Sequence, residues 1–269
     1  MHTPELIDRR AQKAESKGVL RNARVRPYRF YALYLILVIL FDFAATVTEN
    51  SSIGSSSAAS FASPLGVFAT VLSSLLVLIL GAGCYLYCFG IRGNRKMEYP
   101  ILFDGFSFAG KIILLYLAEF AFTVLWSFLL IVPGFIALYS YRFAVMNLCE
   151  NPSMSVMEAL KMSKRQTYGY KGQIFMLDLS YLGWYLLANL PIIYFNYATV
   201  ISRTGLTLPG SSVSVFIQIL IADVFFLLFS VMYLPHYQVT EIGYFEIAKR
   251  TSGIGAGVTP GNFNEDDSF

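Results

Sequence analysis

Histidine is nearly missing from this chain: His2 and His236 are the only two imidazoles in 269 residues. That scarcity leaves no His-Glu-x-x-His metal helix and no Ser-His-Asp arrangement to expect. Cysteine is almost as rare. Cys84 and Cys88 share one face of "CYLYC" and Cys149 stands apart, which is too few ligands for a thiolate metal site and no basis for a disulfide framework. They read as packing thiols. A phosphate-cradling glycine loop is absent too. "GIGAG" at residues 253–257 follows no strand and sits in a polar tail ending "NEDDSF", so it reads as flexible linker. No catalytic, cofactor or metal site follows from any motif, and the chain is expected not to be an enzyme. An intramembrane enzyme working through carboxylates is the one catalytic reading left open.

Charge is the other shortage. Only 14% of residues are charged, against about a quarter in a soluble domain. In its place stand long apolar runs, with 56% hydrophobic and 16% aromatic residues overall. A span needs about 20 apolar residues to cross roughly 30 Å of hydrocarbon. Residues 28–47, 65–90, 111–132, 173–197 and 213–234 meet that length, and 135–148 forms a shorter sixth segment. The expected fold is all-α, a polytopic membrane helix bundle of six segments in a single domain over 28–248. Residues 1–27 are expected as a basic cytoplasmic tail that is not a cleaved signal, and 249–269 as a flexible cytoplasmic tail.

Lysine and arginine decide the threading. Eight lie before residue 30, four between the second and third segments (Arg92, Arg95, Lys96, Lys111), and four between residue 148 and the segment that starts at 173 (Lys161, Lys164, Arg165, Lys171). The Ser-rich stretch 48–64 has none, and 198–212 has only Arg203. Both ends are therefore expected in the cytoplasm. An even number of crossings must then fit between Lys111 and Lys161. In "SFLLIVPGFIALYSYRFAVMNLCENP", Pro133 and Gly134 are the expected helix break: proline removes an amide donor and glycine accepts the positive φ of a tight turn. The alternative is a re-entrant arm.

Ionisable residues inside spans are costly and mark sites. Glu119, Arg142 and Asp178 fall at similar depth, while Asp42 and Asp223 lie further out. Arg142 is expected to pair with Glu119, Asp178 or both. The simplest role is a structural ion pair, and the sharper one a proton or solute path. Beyond them, Ser155 and Glu158 have capping-box spacing and start an amphipathic helix over about 153–168. Val156, Ala159, Leu160 and Ser163 share one side, and Lys161, Lys164 and Arg165 another. It is expected to lie on the anionic inner leaflet, with lipid anchoring or partner docking as its role.

"LFDGFSFAGK", "LWSFLLIVPG", "ENPSMSVMEALKMSKRQTYGYKGQIF" and "LDLSYLGWYLL", with "YLPHYQVTEIGYFE" as a weaker echo, resemble in order the DUF975 integral membrane proteins of bacteria. The resemblance covers about residues 102–245 and implies a multi-pass protein of the bacterial cytoplasmic membrane, with no activity attached. A distant likeness to membrane domains of some glycerophosphodiester phosphodiesterases brings no catalytic domain with it. The leading expectation is a non-catalytic scaffold, partner-binding or lipid-interacting protein. The alternative is a transporter or channel-like protein using Glu119, Arg142 and Asp178. The expected partners are membrane lipid and a protein bound through the amphipathic loop or tails, not nucleic acid.

Overall fold

The computed structural model describes residues 4–23, 25–51, 64–129, 131–202 and 215–254. Most of the Ser-rich stretch 48–64, most of the 198–212 connection and the tail from residue 255, with most of "GIGAG", lie outside these. The described chain is all helical, with no strand among its described residues. Its elements are α1 (Arg9–Asn22), α2 (Pro27–Ser51), α3 (Pro64–Arg92), a 3-10 helix (Tyr99–Phe108), α4 (Ala109–Leu129), α5 (Ile131–Tyr141), α6 (Ala144–Glu150), α7 (Val156–Gln166), α8 (Lys171–Ser202) and α9 (Val215–Ser252).

Among the described residues, five stretches are long and apolar enough to cross a membrane: Pro27–Thr48, Pro64–Arg92, Tyr99–Phe128, Lys171–Ala198 and Ile217–Ser252. The third starts earlier than the expected 111–132, because the 3-10 helix leads straight into α4. The last runs well past the expected end at residue 234, since α9 continues through Pro235. The expected sixth segment, 135–148, is two helices, α5 and α6, interrupted at Arg142 and Phe143.

α5 and α6 together return along the whole of α4. Gly134 lies against Ser127 near the turn, the Tyr141 ring is 6.0 Å from that of Phe122 midway, and Lys111 Nζ donates to the carbonyls of Pro152, Ser153 and Met154 at the far end. About twenty residues at 1.5 Å each span about 30 Å. Pro133 and Gly134 are not the turn itself. Both lie in the first turn of α5, where proline leaves no helix donor unpaired. Gly134 there serves close approach: a Cβ would strike Ser127.

The bundle has two unlike ends. Along α2 to α5 and the 202/215 end of α8 and α9, large apolar side chains such as Leu40, Phe68, Phe128, Phe135, Tyr197 and Leu220 are exposed. At the other end, Phe30, Tyr31, Tyr87, Leu102, Phe143 and Phe245 are fully buried. Phe30 stacks on Tyr87 with centroids 4.0 Å apart, and Phe245 meets Phe143 edge-on at 5.4 Å. All three cysteines are buried and unpaired as thiols.

The basic N-terminal stretch is not a loose tail but part of this packed end. Asp8 caps α1 by accepting from the Arg10 and Ala11 amides. Ser16 bonds Thr240 at 2.8 Å, and Glu15 and Glu246 share Arg92 at 2.9 and 2.7 Å. The Gln173 amide accepts from Ile7 N–H and donates to Glu5 C=O.

α7 starts where the spacing of Ser155 and Glu158 puts it, with Ser155 Oγ accepting from Glu158 N–H at 3.3 Å. It stops before Gly169, whose φ of +84° is open chiefly to glycine. Its apolar face does not rest on lipid. Val156, Ala159, Leu160 and Ser163 are buried against the protein, while Lys161, Lys164 and Arg165 form the outer edge.

Candidate binding site at the broken return arm

Breaking a helix inside a bundle frees backbone donors and acceptors that need partners. α7 supplies them here. Ser163 Oγ accepts from Phe143 N–H at 3.1 Å and donates to Ser140 C=O at 2.8 Å, and Thr167 Oγ1 donates to the same carbonyl at 3.2 Å. Asn147 and Gln166 exchange amide hydrogen bonds at 2.8 and 3.1 Å and lock α6 to α7. Ser163→Ala leaves a buried amide unpaired. It is expected to cost about 1–3 kcal/mol, read as a lower melting temperature in detergent, with Ser163→Thr costing less.

Arg142 projects from the break toward α8 and α9. Its Nε donates to Glu241 Oε1 at 2.5 Å, its Nη2 donates to the Tyr237 hydroxyl, and the same nitrogen lies 3.7 Å from Asp178 Oδ1. Glu241 takes a second bond from Tyr85 at 3.0 Å. Asp178 accepts from Tyr237 at 2.6 Å and Tyr139 at 3.0 Å. The break thus meets α3, α5, α8 and α9 in one ionic network. Its members differ in access. The Glu241 side chain is 0% exposed, whereas Arg142 and Asp178 are 30% and 28% exposed.

Of the residues singled out in the sequence, Arg142 and Asp178 are brought together. Glu119, on α4, makes no hydrogen bond or ion pair with any described residue, although Arg142 acts on it at longer range. Asp42 is elsewhere, accepting from Ser73 at 2.7 Å between α2 and α3, with Asp223 in electrostatic reach of it. Sequence reasoning missed Glu241, the main partner of Arg142, along with Tyr85, Tyr139 and Tyr237. A separate ion pair, Glu150–Lys249 at 2.5 Å, ties α6 to α9.

Among the described residues no three His, Cys, Asp or Glu side chains converge as metal ligands. The arrangement offers a guanidinium and a carboxylate side by side with partial access, between tyrosine hydroxyls. Residues 122–252 match the family described as "Protein of unknown function (DUF975)". The match takes in Arg142, Ser163, Asp178, Tyr237 and Glu241. It leaves out α1, the 3-10 helix with its "LFDGFSFAGK" motif, Tyr85 and Glu119. No curated protein and no solved structure matched the chain.

Proposed function

The chain belongs to the DUF975 family over residues 122–252, and we propose that it is a non-catalytic, transporter-like membrane protein with a polar ligand site at Arg142 and Asp178. The observation that carries this reading is their partial exposure, 30% and 28%, at a helix break midway along the α4 hairpin. Charged groups at such depth do not face hydrocarbon, so the exposed side of these two groups meets water or a polar guest. Broken helices in membrane proteins occur where backbone lines a cavity or is buried in protein; the backbone of this break is buried, and its Arg142 side chain is the part that reaches outward. The guest that fits carries a hydrogen-bond acceptor for Arg142 and a donor for Asp178, as a small zwitterionic solute or a lipid headgroup does.

The threading that goes with this reading has six crossings, with α5 and α6 together as the fourth, and both ends in the cytoplasm of a bacterium. Its support is the continuous antiparallel contact of residues 131–150 with α4 and the clustering of lysine and arginine at the packed end.

Native mass spectrometry of gently extracted protein tests the site. Wild type is expected to retain a small adduct of constant mass. Asp178→Asn should lose it while melting within a few degrees of wild type, because the new amide oxygen still accepts a tyrosine hydroxyl. No adduct, together with a second protein chain held at fixed stoichiometry, would sink this reading in favour of a scaffold. One observation favours the scaffold: the packed end, with the exposed basic edge Lys161, Lys164 and Arg165, is a preformed surface for anionic lipid or a partner.

A further inference from the structure

At the level where α7 was expected to touch lipid, its apolar face turns inward. The exposed apolar side chains lie instead on the 3-10 helix. A helix of three residues per turn eclipses every third side chain, and the sequence obeys that period. From residue 102 on, Leu102, Gly105 and Phe108 are buried, while Phe103 and Phe106, one stripe over, are 50% and 44% exposed. The two phenylalanine rings are neighbours, with centroids 6.4 Å apart.

This element is held rigidly. A Cβ on Gly105 would strike the Ile79 carbonyl and one on Gly83 the Leu102 carbonyl, so its backbone lies directly on that of α3. An apolar stripe fixed in this way cannot fold back to hide itself. It also continues without a loop into α4, whose outer side chains Leu114, Leu117 and Phe120 are exposed.

We propose that the 3-10 helix lies in the headgroup–acyl boundary of the leaflet on the packed side, with Phe103 and Phe106 inserted as a wedge. Length supports this placement. The 21 residues of α4 cover about 31 Å, which fills the hydrocarbon of about 30 Å. At roughly 2 Å per residue, Phe106 then falls about 6 Å beyond the start of α4, within the interfacial zone of about 5–7 Å on each side, with the Phe103 ring beside it. The charges around them suit that depth. Arg95, Lys96, Glu98 and Asp104 are all exposed, a mixture that stays at the headgroups while the rings go under. Lipid is the occupant favoured over a protein, because the stripe is continuous with the lipid-facing side of α4. The inference does not depend on the Arg142 site.

The test is a single-tryptophan series. Trp126 and Trp184, the only tryptophans, are replaced by phenylalanine, and Phe103→Trp or Phe106→Trp is introduced and reconstituted in phosphatidylcholine–phosphatidylglycerol vesicles. Leu117→Trp in the same background marks the deep hydrocarbon. Lipids brominated near the headgroup are expected to quench the new indole of Phe103→Trp and of Phe106→Trp several-fold more than lipids brominated near the chain end. Leu117→Trp should show the reverse. Quenching by aqueous acrylamide with none by either bromolipid would place the helix in water and overturn the proposal. Protection from both quenchers would mean a protein covers the stripe, and would overturn it equally. Normal elution in size-exclusion chromatography certifies each variant before it is read.

Discussion

Glu241→Ala is expected to be among the most damaging single substitutions in the chain, costing about 3–5 kcal/mol. Its side chain is fully buried, and both oxygens are engaged, Oε1 by Arg142 and Oε2 by Tyr85. Removing it takes the nearest counter-charge from a guanidinium that is largely enclosed, with only Tyr237 and the more distant Asp178 left to it, and leaves the Tyr85 hydroxyl without its acceptor. The effect is measured as the melting temperature of detergent-purified protein and as the folded yield by fluorescence size-exclusion. Glu241→Gln should be milder, since the amide oxygen still accepts from Arg142, though without the charge. The informative variant removes both partners. Arg142→Met with Glu241→Met takes away the fully buried carboxylate and its partner cation at once and is expected to recover much of the stability, as apolar replacement of buried ion pairs often does. If Arg142→Ala and Glu241→Ala instead add with no coupling, the ion pair does not govern the break. Exchanging Arg142 with Glu119 should rescue nothing, because no bond joins them.

That pairing also shows where sequence reading ran out. Arg142 and Asp178 were legible because a charge inside an apolar run stands out against its neighbours. Glu241 was not, because the expected last segment ended at residue 234, and beyond that apolar run a carboxylate does not stand out. The helix continues, and residues 238–245 are buried one after another along α9. α1 was missed for a different reason. The residues it buries are few and partly polar, Ser16 and Leu20, so no hydrophobic stripe announces it, and its ties to α8 and α9 are between residues far apart in the chain. The start of α7 was readable from Ser155 and Glu158, since a capping box is local. Which way its apolar face turns was not, because a pattern shows a face without showing what it meets. The break at Arg142 is hidden in the same sense: the groups it frees are satisfied by Ser163 and Thr167, about 20 or more residues further along the chain.

Gly105→Ala carries the second large expectation, and its sign is the useful part. Alanine for glycine within a helix ordinarily stabilises by about 0.5–1 kcal/mol. At Gly183, in the middle of α8, an added Cβ meets nothing within 4 Å, so Gly183→Ala is expected to raise the melting temperature or leave it unchanged. At Gly105 the same methyl would overlap the Ile79 carbonyl oxygen, and at Gly83 the Leu102 carbonyl. Neither obstacle is a side chain that can rotate away. The 3-10 helix would have to lift off α3, uncovering Leu102 and Phe108, and overpacking of this kind costs about 1–3 kcal/mol, sometimes more. Both Gly105→Ala and Gly83→Ala belong at the upper end, because backbone meets backbone. The double variant should cost less than the sum of the two, since one displacement relieves both clashes. Thermal melts of the four proteins decide the matter. Equal, small shifts at positions 105 and 183 would mean that the 3-10 helix does not sit on α3 at this distance, and the rigid platform beneath Phe103 and Phe106 would go with it.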